Sequence, residues 1–72
     1  MTKTAQAYIN EMNTCTTWRD ANKIRGIRIR FSQDCSAYKL SWSEFTMLID
    51  ICEKKTAELD ELKAKEIKRR YH

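Results

Sequence analysis

The sequence predicts an α+β fold: an N-terminal helix, a two- or three-stranded antiparallel sheet, and a long C-terminal amphipathic helix. Three observations carry this expectation. Residues 42–72 run without Gly or Pro behind a serine cap. Residues 24–32 alternate between apolar and basic side chains. Residues 4–13 repeat apolar side chains at the helical period. The order is therefore α-β-β-α, or α-β-β-β-α if residues 14–19 add a strand.

The first helix spans residues 4–13. Thr2 or Thr4 supplies its cap. Ala5, Tyr8, Ile9 and Met12 share one face, with Gln6, Asn10 and Asn13 opposite. Residues 13–17 are rich in Thr and poor for a helix. Two readings of the next segment stand side by side. Thr17 caps a short helical turn through Asp20, or residues 14–19 form a strand and residues 20–23 turn into the next one.

Residues 24–32 give the clearest strand pattern. Ile27, Ile29 and Phe31 alternate with Arg28, Arg30 and Ser32, a period of two. One face is apolar and the other carries guanidinium groups. Gly26, the only glycine, reads as a bulge or a close backbone approach. Residues 32–35 turn the chain. Residues 37–41 return as the partner strand, with Tyr38 and Leu40 on the buried face.

The last helix begins at Trp42. Ser41 with Glu44 three positions on makes a capping box. A helix over 42–72 is a rod of roughly 45 Å. Phe45, Leu48, Ile49, Ile51 and Cys52 cover an arc broad enough to face a core. The stripe then narrows to Thr56, Leu59 and Leu62, and Lys63, Glu66 and Arg70 replace it. Acid-before-base pairs at i,i+4 (Asp50–Lys54, Glu61–Lys65, Glu66–Arg70) support the rod locally. Residues 63–72 are expected to project as a basic helix end. Apolar 3-4 spacing from Phe45 to Leu62 also fits a short coiled-coil seam, interrupted by Lys55.

The chain of 72 residues is read as one domain, 1–72. Chains this short bury only about 60% of their unfolded surface, so a homodimer or a larger partner would help. The start lacks the apolar core of a signal peptide, and no run approaches the ~18 apolar residues of a membrane span. Cys15, Cys35 and Cys52 form no CxxC pair and are odd in number; they read as reduced, small hydrophobes of a cytoplasmic protein.

Catalytic and metal-binding groups are missing. The only histidine is the terminal His72, which excludes a buried Ser-His-Asp or Cys-His arrangement and a His-rich metal site. A single glycine excludes phosphate loops of the Gly-rich types. Glu58, Asp60 and Glu61 read as a solvated face. No enzyme, cofactor or metal is expected. The size, single domain and absent active site have the general look of small phage or mobile-element accessory proteins.

The net charge of +4 is unevenly placed. Arg19, Lys23, Arg25, Arg28 and Arg30 face only Asp20 within residues 19–30. Lys63, Lys65, Lys68, Arg69 and Arg70 face only Glu66 within residues 63–72. Two surfaces follow. Arg25, Arg28 and Arg30, with Arg19 and Lys39, form an outward arginine face suited to phosphates or acidic groups. The tail carries Lys63, Lys65, Lys68, Arg69 and Arg70, with Tyr71 interleaved. Ile67 and Tyr71, one turn apart, read as a docking pair for a protein. The expected function is occupation of a macromolecular partner. A protein held by an inhibitor or adaptor is favoured, with DNA or RNA as the alternative.

Overall fold

Ile24, Ile27 and Phe31 are buried, and Cys35 is half-buried, so the stretch that alternates as a strand is organised at helical spacing. A computed structural model describes residues 2–70, with side chains through residue 69. It contains α1 (Lys3–Asn13), a 3-10 turn (Trp18–Asp20), α2 (Ala21–Ser36) and α3 (Trp42–Arg70). No strand occurs among the described residues. The expected antiparallel sheet, and with it the α+β class, is replaced by three helices.

The reason lies in two periods that coincide over a short window. Residues 27–32 satisfy an alternation of two, but Ile24, Ile27, Phe31 and Cys35 also satisfy 3-4-4 spacing. The helical set continues for three turns, whereas the alternation stops at Ser32. Arginine is a good helix former, and residues 32–35 contain neither Gly nor Pro to close a hairpin. A lone two-stranded hairpin is in any case marginal in water. Gly26 sits inside α2 with a negative φ, and a Cβ built there meets nothing within 4 Å. It is neither a bulge nor a close approach.

The helix boundaries follow local chemistry. Thr2 caps α1, its hydroxyl accepting from the Ala5 amide at 3.2 Å. Asp20 closes the 3-10 turn by accepting from the Thr16 and Thr17 amides at 3.1 and 3.2 Å. These bonds hold the Asp20 carboxyl below its ordinary value, the Thr17 amide contributing most. Of the two readings of residues 14–19, the short helical turn is the one observed. At α3 the expected capping box is present: the Glu44 amide donates to Ser41 Oγ at 3.1 Å, and the Ser41 amide donates back to Glu44 Oε1 at 3.4 Å.

α2 ends in a Schellman arrangement. The Lys39 amide donates to the Asp34 carbonyl at 2.8 Å, and the Tyr38 amide to the Cys35 carbonyl at 3.1 Å. Tyr38 takes the left-handed position with φ 61°, where glycine is usual.

The three helices run up, down and up. Thr2 touches Glu44, so α1 and α3 start together, while Trp18 meets Glu66 far along α3. The molecule is a rod of 50 × 16 × 16 Å. Its core joins Ala5, Tyr8 and Met12 of α1, Ile27 and Phe31 of α2, and Leu48 and Cys52 of α3, with Leu59 further along. Tyr8, Phe31 and Phe45 pack edge to face, with centroids 5.8 Å apart in each pair. The apolar seam of α3 is thus filled by the chain's own α1 and α2. Burial pushes the Cys52 thiol up in pKa.

Candidate functional site: a basic helix face and an aromatic corner

Arg28 and Arg30 share one face of a strand, but in a helix two residues are about 200° apart. They flank α2 on opposite sides. Arg30 turns towards α1, where its guanidinium pairs with both carboxylate oxygens of Glu11, Nη1 to Oε1 at 3.3 Å, and lies 5.9 Å from the Tyr8 ring centroid. Beside it the Tyr8 hydroxyl donates to the Asp34 carboxylate. Burial, then this bond, push the Tyr8 pKa up to about 12. Arg30 therefore fastens α1 to α2, and the expected arginine face of a hairpin does not form.

Arg28 lies on the other flank, near enough to α3 for its charge to lower the Cys52 pKa against the effect of burial. Arg25 is one turn before it at i−3. Neither forms an ion pair among the described residues, and nor does Lys39; the pairs present are Arg30–Glu11, Lys54–Asp50, Lys55–Glu58 and Lys65–Glu61. A shallow groove of ≈ 620 Å³ runs along this side of α2, lined by Arg28, Ile29, Ser32, Gln33, Ser36 and Ala37. Ile29, which the strand pattern places inside, is 59% exposed.

At the next residue the chain turns, and a second depression of ≈ 600 Å³ opens between Thr2, Cys35, Tyr38, Leu40 and Trp42. Tyr38 is 96% exposed and Trp42 72% exposed. Leu40 is buried as expected, but Tyr38 is not. Trp42 leans on Phe45 at 5.4 Å and 35°, which fixes its ring at the corner. The strand pattern places Tyr38 inside and gives Trp42 no role beyond starting α3, so this aromatic pair does not emerge from the sequence. With no glycine between the two helices, the left-handed position at the end of α2 falls to Tyr38, and its side chain is left in solvent.

The basic tail divides. Trp18 sits on α3 with its indole N–H donating to Glu66, Lys63 Nζ 5.4 Å from its ring centroid and the Arg19 guanidinium 5.5 Å away. Glu66 and Lys63 thus dock the 3-10 turn, with Arg19 beside the same ring, so the rod is covered about one turn further than the stripe predicts. Lys65 pairs with Glu61 at 3.7 Å, and Asp50 with Lys54 at 3.0 Å, as expected. Lys68 and Arg69 are exposed. Ile67 is 45% exposed. Its expected docking partner Tyr71 lies outside the described residues, as do His72 and the Arg70 side chain.

Among the described residues no cluster of His, Cys, Asp and Glu is arranged to hold a metal ion, and no helix is long and apolar enough to cross a membrane. Comparison with family models, with curated proteins and with solved structures returned no match.

Proposed function

We propose that this chain is a non-enzymatic binding module, an inhibitor or adaptor that acts by occupying a protein partner, and that the aromatic corner is its contact. The observation that carries the reading is Tyr38. Its φ of 61° costs an L-residue about 1–2 kcal/mol relative to its usual regions. The Schellman hydrogen bonds at the end of α2 hold it there, so the backbone is accounted for by the helix end, but 96% of its surface is exposed and the ring itself packs on little within the chain. A large aromatic side chain left in solvent at a helix end, where glycine is usual, is the feature that points to a contact. Trp42 follows four residues on and lines the same depression. Tyr and Trp are the residues most enriched where a few side chains dominate a protein interface.

The test separates folding from binding. Tyr38→Gly relieves the strain but gains freedom in the unfolded chain, for a net stabilisation of about 0.5–1 kcal/mol. Urea titration reads it. The same change combined with Trp42→Ala is expected to weaken partner capture from host lysate about thirtyfold or more, the roughly 2 kcal/mol that one hot-spot residue alone carries. Capture must survive nuclease. A bound component that disappears with nuclease or modest salt would replace this reading by nucleic-acid binding through Arg25, Arg28, Lys39 and the tail.

A further inference from the structure

The outer face of α2 carries charge in one sign only. From Ala21 to Gln33 the helix has no carboxylate, and its two cations on the groove side, Arg25 and Arg28, are unpaired among the described residues. Arg25, Arg28, Ile29 and Ser32 are neighbours at i+3 and i+4, so they form one continuous strip. The strip runs into Ala37, the residue before Tyr38, and Lys39 follows. An exposed isoleucine, a shallow groove and unpaired guanidinium groups thus lead straight to the aromatic corner.

Resting on the protein-partner reading above, we infer that the partner's segment is an acidic amphipathic helix. It lies along α2 with carboxylates towards Arg25, Arg28 and Lys39, and with apolar residues over Ile29 towards Tyr38 and Trp42. Charge complementarity selects the occupant. A second copy of the same face would set arginine against arginine, a like-charge juxtaposition that is costly at an interface. Nucleic acid would meet few unpaired cations here, against the ~6–10 phosphate contacts typical of salt-sensitive binders. It would also leave the Ile29 groove without an apolar partner. A helix laid in a groove reads such a strip by its i, i+3, i+4 and i+7 side chains.

The full chain, labelled with ¹⁵N, would be titrated with three probes. The first is a synthetic amphipathic peptide with Leu at helical spacing and Glu elsewhere. The second replaces every Glu by Gln. The third is a single-stranded oligothymidylate of matched charge. The acidic peptide is expected to bind best and to shift the amides of Arg25 to Ser36 and of Tyr38 to Trp42. Arg28→Glu and Ile29→Gln, both at exposed positions, should each weaken it by about tenfold.

Equal binding of the Gln peptide overturns the inference, as does tighter binding of the oligonucleotide. Shifts on another face, or no binding, also overturn it. Concentration-dependent mass of the chain alone, abolished by Arg28→Glu, would assign the strip to a second copy. The two proposals fail separately. If the corner variant loses partner capture while the acidic peptide does not bind, a protein partner stands and its acidic character does not.

Discussion

Glu44 does more than the capping box asked of it. One carboxylate oxygen serves Ser41, and the other accepts from the Thr2 amide at 3.0 Å and the Thr2 hydroxyl at 2.8 Å. The same hydroxyl accepts from Ala5, so one acid joins the caps of α1 and α3. These bonds, those from Thr2 foremost, pull the Glu44 pKa from 4.5 down to about 2. A carboxyl whose pKa is lower in the folded chain than in the unfolded one stabilises the fold above the unfolded value. That contribution is lost as protons are added through the folded value. Stability is therefore expected to fall as pH drops from about 4.5 towards about 2, and Glu44→Gln should flatten that part of a urea-midpoint-against-pH curve while lowering its neutral plateau. A wild-type slope unchanged in the variant would take the linkage away from Glu44. The box was legible in the sequence because it is local. The Thr2 contact, 42 residues away, was not, since a threonine before a helix announces only its own cap.

At the scale of the element, α2 decides how the whole sequence is read. Ile27 and Phe31 fit both periods, and the arginines between them alternate as the outward binding face of a strand would. What distinguishes the readings is the longer window: Ile24 before this stretch is off the strand's parity and Gln33 after it breaks the alternation, whereas Ile24 and Cys35 both extend the helical set. Gly26 now gives a sharp test. In a helix interior with open space around the Cβ, Gly26→Ala should raise stability by about 0.5–1 kcal/mol. At a strand bulge or close approach the same change would destabilise. Chemical denaturation of the variant, with helical circular dichroism retained, checks it. The two flanking helices were legible because their periodicity had no competitor. The arginine site was legible as residues but not as a surface. A change of element sends Arg30 to Glu11 and Arg28 to the opposite flank, and it brings Ile29 out. Exposed apolar residues such as Ile29 and Tyr38 cannot be found until the element type is right.

For the molecule as a whole, the rod shape sets where stability resides. α1, α2 and the first half of α3 share the aromatic row Tyr8, Phe31 and Phe45. Among the described residues, what covers α3 beyond Leu59 is the segment Thr16, Thr17 and Trp18. Cooperative unfolding of a chain this small draws on a total of about 5–15 kcal/mol. Phe31 is fully buried and touches aromatic rings from both other helices, so Phe31→Ala should cost about 3–5 kcal/mol. That is enough to shift the urea midpoint of the whole molecule sharply or to leave it partly unfolded at 25 °C. Trp18→Ala removes the Glu66 bond and the Lys63 contact but leaves the aromatic row intact. Its expected effect is local: amide exchange of residues 60–69 accelerates, while protection around Phe31 and Leu48 persists. If Trp18→Ala instead lowered protection uniformly, the far end of α3 would belong to the same cooperative unit as the core. The tail would then be part of the fold and not an extension from it. The contrast between these two variants also bears on binding, because the α2 strip and the aromatic corner both sit over the stable half. A partner docking there would meet a preorganised surface, with little ordering cost to offset.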